Sequence, residues 1–239
     1  MNGVNLYPYP EEVPALWEPC STGTYRDKDT GLGVAQPRFD SFGLYIPITC
    51  SSPYVGPWRE FAARAERVLE ATLSHGIEEA LSQGVETSAN PYFGDAAVSV
   101  LGGGALTNAT VALSYLEDAI GATGRGGMIH ATPAIVTAWS DLLTVVDGVL
   151  LTYNGTPVVS GSGYIGASAN GVAPAAGQGY AFATGPVEVR LSETMLVGPD
   201  VNGTLDTTSN DLTFRAERFA LATWDTALQS AVLVDWTPT

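Results

Sequence analysis

The chain has 239 residues, of which 45% are hydrophobic and 15% are charged, with 27 Gly and 15 Pro. This composition excludes a disordered chain and a coiled coil, and it favours short strands, many turns and ordered loops. The formal net charge is −15 with 10 Lys and Arg residues. This negative charge argues against nonspecific electrostatic binding to nucleic acid or to an anionic membrane, because such binding needs clustered cations.

Residues 1–56 are predicted to form an extended arm followed by a loop. Prolines recur throughout this stretch, and each of them lacks a backbone donor. Residues 21–38 are polar and glycine-rich, as in the tip of a hairpin-like excursion, whereas Phe39–Cys50 is aromatic and β-branched and favours a strand. A long irregular stretch is unusual inside one domain, so we expect it to pack on another subunit.

Residues 57–84 carry the strongest helical pattern. Apolar residues repeat at spacings of three and four, and charged residues occupy the other faces. Pro57 suits the first turn, and Gly84 suits the position that follows the last turn. The sequence therefore predicts one helix about 40 Å long, which Gly76 weakens or bends.

The next segment predicts two shorter helices around a strand. The first of these helices is predicted over Thr107–Ile120, and the strand over Met128–Ala131. Thr132 then caps a short helix that Pro133 begins and that runs to about residue 142.

The remainder of the chain predicts strands, which gives an α+β order rather than alternating strands and helices. Asn154-Gly155 is a strong hairpin turn signal, so Val149–Tyr153 and Thr156–Ser160 are predicted to pair. Residues 161–179 predict a loop. Further strands are predicted at Tyr180–Thr184, Val187–Leu191, Leu212–Thr223 and Leu228–Asp235.

Two glycine-rich motifs are weak indicators of a phosphate site. Gly161–Gly166 has the spacing of a dinucleotide fingerprint, but Gly171 and Pro174 exclude the helix that must follow it. Residues 102–104 are three glycines without the Lys-Ser/Thr of a P-loop, and they are predicted to be a flexible linker. No cofactor is therefore expected.

The two histidines are His75 and His130, and the two cysteines are Cys20 and Cys50. Neither pair has the pattern of a metal site, so no metal is expected, and free thiols are the expected state of the cysteines, although their pairing stays open. His130 is predicted to be buried and hydrogen-bonded. The alternative is a small hydrolase in which His130 acts with a serine that the sequence does not identify. No signal peptide or membrane-spanning run is predicted, so the expected compartment is the cytoplasm.

The order of motifs in the last two-thirds of the chain resembles the major capsid proteins of tailed bacteriophages of the Hong Kong 97 type. The segments that carry the resemblance are RGGMIHATP (125–133), GVLLTYNGTPVVSGSGY (148–164) and AFATGPVEVRL (181–191). Residues 210–234 resemble the closing long strands of that family. The helix predicted at 57–84 corresponds in position to its spine helix, and residues 1–56 correspond to its N-terminal arm and extended loop.

The resemblance implies an α+β capsid fold in four parts. Residues 1–20 would be the arm, 21–56 the extended loop, 57–97 with 212–239 the peripheral domain, and 98–211 the axial domain. It also implies a structural protein rather than an enzyme, one that self-assembles into pentamers and hexamers of an icosahedral head enclosing double-stranded DNA. The partners are then further copies of the chain, packaged DNA by proximity only, and decoration, portal or scaffold proteins. The location is the virion, after assembly in the bacterial cytoplasm.

Candidate contacts between subunits are Trp17, Lys28, Phe39, Phe42, Tyr45, Arg59 and Arg125. Some members of the family crosslink subunits through Lys–Asn bonds catalysed by a glutamate. Lys28, with Asn210 and Glu217 as conceivable partners, falls in a comparable place, but a solvated or salt-bridged Lys28 is the expectation. The alternatives to a major capsid protein are a decoration or connector subunit, an encapsulin-like nanocompartment shell, and the small hydrolase.

Overall fold

The computed structural model describes residues 39–50, 58–85, 88–197, 205–206 and 211–237. The helices in these ranges are α1 (Trp58–Gln83), α2 (Ala109–Ala122) and α3 (Pro133–Ala138). The strands are β1 (Phe42–Cys50), β2 (Ser99–Leu106), β3 (Met128–Ala131), β4 (Leu143–Val146), β5 (Val149–Thr152), β6 (Val158–Ser160), β7 (Gln178–Thr184), β8 (Val187–Leu191), β9 (Met195–Val197), β10 (Leu205–Asp206), β11 (Asp211–Trp224) and β12 (Gln229–Asp235). This mixture of few helices and several sheets confirms the α+β class.

β11 is the central strand of the first sheet. β1 pairs with it antiparallel along its whole length, from Phe42 opposite Ala220 to Cys50 opposite Leu212. β8, β9 and β10 also pair with β11, all antiparallel. The sheet therefore joins a strand from the first quarter of the chain to strands from the last quarter.

α1 covers one face of the first sheet. Its buried side chains, Leu69 and Leu73 among them, form one stripe that packs against the inward face of β1 and β11. The helix continues past Gly76, where an added Cβ would lie 2.9 Å from Cδ2 of Leu44, so glycine lets β1 approach the helix closely. Gly84 follows the helix with a φ of 82°, as predicted. No helix in the described ranges is long and apolar enough to cross a membrane.

The second sheet has the strand order β2-β12-β7-β3-β6. It is mixed, because β12 runs parallel to β2 and antiparallel to β7, and β3 runs parallel to β6. α2 and α3 bury Leu116, Ile135 and Trp139 in one cluster with the apolar side chains of this sheet. The pairing places β12 in the second sheet and β8 and β9 in the first, which cuts across the predicted division at residues 98–211.

The starts of both shorter helices follow from their capping residues. Asn108 accepts a hydrogen bond from the N–H of Val111 at 3.1 Å, so α2 begins at Ala109 rather than at residue 107, and it continues to Ala122. Thr132 caps α3 and Pro133 begins it, as predicted, but the helix ends at Ala138 and a 3-10 turn follows at 140–142.

The prediction of a flexible linker at residues 102–104 is wrong. These glycines lie inside β2, which pairs with β12. Gly102 and Gly103 have φ values of 82° and 68°, and the register shifts between Val232 and Val234. Glycine is needed here because the strand takes left-handed backbone angles where its pairing is interrupted.

The pairing predicted around Asn154-Gly155 is also wrong. The turn forms, since the N–H of Gly155 donates to the carbonyl of Thr152 at 3.0 Å, but Leu151 and Pro157 make an isolated bridge and no ladder follows. β5 pairs instead with β4, and β6 pairs with β3. The carbonyl of Pro157 instead accepts a hydrogen bond from the N–H of Ile129 at 2.8 Å, which joins this segment to β3.

Candidate assembly surface

His130 lies in β3, between β7 and β6 of the second sheet. Its Nδ1 is 3.0 Å from the hydroxyl of Tyr164 and its Nε2 is 2.9 Å from that of Thr184. The ring of Phe93 lies beside it, with the ring centroids 4.6 Å apart. We call these four residues the closed centre. Burial lowers the pKa of His130 to about 3, so the ring is neutral near pH 7, and the prediction of a buried, hydrogen-bonded histidine is confirmed.

The hydrolase alternative built on His130 is therefore wrong at this residue. Both ring nitrogens face Tyr164 and Thr184 rather than a serine, and the buried side chain has no access to a substrate. Burial first, and then the charge of Glu78, raise the pKa of Tyr164, so its hydroxyl remains protonated. Within the described ranges, no group of His, Cys, Asp and Glu is arranged to hold a metal ion.

The predicted contact residues near β1 have different environments. Phe39 is 2% exposed and Phe42 is partly buried, and both pack in the core of their own chain. Tyr45 points to the opposite side of the strand and is 60% exposed. Tyr45 is thus the member of these three that lies at the surface of the chain, and its role in contacts between subunits stays a prediction.

The other predicted contact residues lie apart from β1 or outside the described ranges. Nη1 of Arg125 is 3.0 Å from Oδ2 of Asp225, which ties the turn before β3 to the turn after β11. The backbone of Arg59 lies in the first turn of α1. Trp17, Lys28, Cys20 and Asn210 lie outside the described residues. The roles assigned to these residues stay predictions.

Among the described residues, the side of the first sheet that faces away from α1 carries exposed side chains. Cζ of Arg215 lies 5.7 Å from the centroid of the Tyr45 ring, and its Nη2 is 2.9 Å from Oε2 of Glu217. Thr49 and Thr213 join their hydroxyls at 3.0 Å on the same side. We call Tyr45, Arg215 and Glu217 the open face. An exposed tyrosine beside a guanidinium is the residue pair that dominates many protein interfaces.

The hairpin of β4 and β5 presents a second exposed apolar surface, which the sequence analysis missed. Its exposed side chains are Val145, Val146 and Val149. The turn between the strands is Asp147-Gly148, with φ values of 52° and 82°. Asp-Gly between two apolar runs is a strong hairpin signal, so the sequence contained the information that would have predicted it.

A partly buried carboxylate fixes the turn that follows this hairpin. Glu117 of α2 accepts hydrogen bonds from the hydroxyls of Thr152 and Thr156, the latter at 2.8 Å. Tyr153, between these two threonines, is 97% exposed. The turn is thus held at its base and presents an aromatic ring at its tip.

No protein-family model matches the sequence, and no curated protein sequence matches it. Among solved structures, one from Gordonia phage Cozz is 13% identical, with a TM-score of 0.53 over 95% of this chain and 81% of that chain. The capsid of an empty GTA particle is 13% identical, with a TM-score of 0.52 over 91% of this chain and 81% of that chain. A structure from Mycobacterium phage Che8 is 12% identical, with a TM-score of 0.50 over 92% and 83% of the two chains.

At these identities the similarity is one of fold, and it extends over nearly the whole chain. The elements described above occur in the order that the sequence resemblance implied, from the long helix to the closing strands. The chain therefore has the fold of the phage major capsid proteins of the Hong Kong 97 type.

Proposed function

We propose that this chain is a major capsid protein, which self-assembles into the pentamers and hexamers of an icosahedral phage head enclosing double-stranded DNA. The observation that carries the proposal is the length of the shared fold. The similarity to the GTA capsid structure covers 91% of this chain and 81% of that chain, so nearly the whole chain takes part in the shared fold.

In this proposal the four-part division follows the sequence prediction. Residues 1–20 are the arm and 21–56 the extended loop, and α1 is the spine helix of the peripheral domain. Strand pairing supports one refinement, which assigns β8 and β9 to the peripheral part with β11, and β12 to the axial part with β7. The first and second sheets then form the cores of the peripheral and axial domains.

The open face is the surface that we assign to contacts between subunits. Tyr45 and Arg215 are exposed, and α1 occupies the other side of the same sheet. Aromatic and arginine side chains are enriched in interfaces, where they bury apolar area and still satisfy their polar groups. Glu217 holds Arg215 in place, which lowers the entropy that the arginine would lose on contact.

The charge distribution supports enclosure of DNA without tight binding. Several arginines already pair with carboxylates of their own chain, namely Arg125, Arg190, Arg215 and Arg218. These pairs reduce the number of cations that can displace counterions from phosphate, in a chain with a net charge of −15. The proposed partners are other copies of the chain, with decoration, portal or scaffold proteins as further candidates. The proposed location is the virion, after assembly in the bacterial cytoplasm.

Noncovalent contacts, rather than an isopeptide crosslink, hold the proposed shell together. Glu217, the glutamate that could have catalysed such a crosslink, forms an ion pair with Arg215 on the open face. We assign no enzymatic activity to the shell as such.

The test is assembly of the full chain expressed alone. We expect closed shells, or rings of five and six subunits, in the void fraction of a sizing column, seen by negative-stain microscopy. A monomer that binds to preformed shells would instead support the decoration or connector alternative. Shells that enclose a protein cargo but no DNA would support the nanocompartment alternative.

The structure also defines the deletion that tests the arm. β1 pairs with β11 along its whole length, so removal of residues 1–56 would take away a strand of the first sheet. Removal of residues 1–38 keeps that strand. We expect this shorter deletion to give a folded protein by circular dichroism that no longer assembles; shells of normal size would contradict the role of the arm.

A further inference from the structure

A solvent-exposed serine and an exposed histidine lie within hydrogen-bond distance of each other, and the serine precedes Tyr164 of the closed centre by two residues. Oγ of Ser162 is 3.0 Å from Nδ1 of His75. Ser162 lies on the loop before β7 and is exposed, and the side chain of His75, on α1, is 52% exposed. The residues are 87 positions apart, so only the fold brings them together.

A carboxylate lies on the other side of the same imidazole. Oε2 of Glu79 is 3.9 Å from Nε2 of His75, one helical turn further along α1. A carboxylate at this position favours the tautomer with the proton on Nε2, because that N–H faces the negative charge. Nδ1 then carries the lone pair, and it faces the hydroxyl of Ser162. A nucleophile, a base within hydrogen-bond distance, and a third group that orients the base are the minimal parts of an activated serine.

The backbone around Ser162 is fixed against α1. The N–H of Gly163 donates to Oε2 of Glu78 at 3.0 Å, and the hydroxyl of Ser82 donates to the carbonyl of Gly163 at 3.0 Å. A Cβ at Gly163 would lie 2.4 Å from the backbone carbonyl oxygen of His75, so this close approach requires glycine, and a Cβ at Gly161 would displace the carboxylate of Glu78. The two glycines that flank Ser162 therefore hold its hydroxyl at a defined distance from His75.

We propose that Ser162 is an activated nucleophile that accepts acyl groups from activated esters, with His75 as its general base and Glu79 as a positioning residue. Oγ attacks the ester carbonyl carbon while its proton moves to Nδ1 of His75, and the bond to the leaving alcohol or phenol breaks. An alcohol takes the proton from His75 as it leaves, whereas a phenol leaves as the phenolate and His75 then gives its proton to solvent. The neutral His75 next takes a proton from water, whose oxygen attacks the acyl carbonyl carbon. The bond to Oγ breaks, Oγ takes the proton from His75, and the carboxylic acid departs, which restores the hydroxyl of Ser162. This activity is separate from shell assembly and does not depend on it.

The experiment uses the full chain and p-nitrophenyl acetate as the probe. We expect release of p-nitrophenolate with a burst of about one equivalent per chain, because an acyl-serine accumulates when its hydrolysis is slow. Peptide mass spectrometry should place one acetyl group on Ser162. Ser162→Ala should abolish both signals, and the matched control Ser114→Ala, at an exposed serine of α2, should keep them.

Variants of the base separate catalysis from folding. His75→Ala should lower the acylation rate about 100-fold, and added imidazole should restore part of it, which a merely structural histidine would not allow. Glu79→Gln should slow acylation about twofold, as expected for an exposed pair one helical turn apart, and Glu79→Asp should recover that loss. Acetylation of Ser162→Ala at the rate of the unchanged chain, or no rescue of His75→Ala by imidazole, would overturn the proposal.

Discussion

The closed centre and the open face place polar groups in opposite settings. In the closed centre, His130, Tyr164 and Thr184 satisfy one another away from water, and Phe93 covers the ring of the histidine. On the open face, Tyr45 and Arg215 contact each other at the surface, and the tyrosine ring stays 60% exposed. The closed centre has no exposed surface that a partner could contact, whereas the open face has exposed surface that a partner could bury. Substitutions in the closed centre should therefore change the free energy of unfolding, and substitutions on the open face should change association.

The largest effect on stability is expected from a methyl group added beside the closed centre. A Cβ at Gly94, the neighbour of Phe93, would lie 1.9 Å from the carbonyl oxygen of Ser168. The N–H of Asn170 donates to the carbonyl of Gly94 at 3.0 Å, so the two backbone segments cannot separate without losing a hydrogen bond. Gly94→Ala should lower the free energy of unfolding by about 3 kcal/mol, measured by urea denaturation.

Gly104→Ala is the matched control for that substitution. A Cβ at Gly104, on the edge strand β2, would meet no atom within 4 Å. The two substitutions change the entropy of the unfolded chain equally, so their difference reports on the folded state. Gly104→Ala should change stability by no more than about 0.5 kcal/mol. Equal effects at the two glycines would contradict the close packing at Gly94.

His130 should make stability depend on pH. Its pKa falls from the ordinary 6.5 to about 3 on folding, so between these values the unfolded chain binds a proton that the folded chain does not. The stabilisation is complete above the unfolded-state pKa and is lost as the pH falls toward 3. Between pH 6.5 and about pH 5, the unchanged chain should lose about 2 kcal/mol more than His130→Gln, which cannot titrate.

The measurement is a series of urea titrations of the unchanged chain and of His130→Gln between pH 7 and pH 5. If His130→Gln kept the pH dependence of the unchanged chain, other groups would be responsible for the acid sensitivity, and the closed centre would not exclude a proton.

Glu117 holds the turn between the second sheet and the exposed Tyr153. Glu117→Ala removes the acceptor of two threonine hydroxyls, so it should lower stability by about 1.5 kcal/mol. Amide hydrogen exchange should accelerate at Gly155, whose N–H closes the turn. Asp118→Ala, at the exposed neighbouring carboxylate, should leave both quantities close to their original values.

The parts of the fold that the sequence predicted are those fixed by local chemistry. The three-and-four spacing predicted α1, and Thr132 with Pro133 predicted the start of α3. The predicted partner of β5 was wrong because two turn signals compete for this strand, Asn154-Gly155 and Asp147-Gly148. β5 pairs with β4 because β6 is instead buried beside β3. That long-range pairing cannot be read from the local sequence.

The open face could not be predicted from the sequence, because it joins residues that lie far apart along the chain. Tyr45 was a predicted contact residue because it is aromatic, but its partner Arg215 comes from β11 near the other end of the chain. The aromatic pattern alone did not distinguish Tyr45 from Phe42, whose side chain faces the core. The period of two along a strand separates these faces only once the position of α1 is known.

The smallest effect on stability and the clearest effect on assembly are expected at Tyr45. Its ring contacts Arg215 at the surface, so Tyr45→Ser should lower the free energy of unfolding by only about 0.5 kcal/mol. In an interface, loss of an aromatic anchor commonly costs about 2 kcal/mol, and in a closed shell this loss recurs at every subunit. Tyr45→Ser should therefore give a folded chain that elutes as monomers or small rings. Tyr115→Ser, at a tyrosine of α2 that is 40% exposed, should still give shells, because it lies away from the first sheet. Shells from Tyr45→Ser in normal yield would show that the open face stays open after assembly, and would direct the search for subunit contacts to the hairpin of β4 and β5.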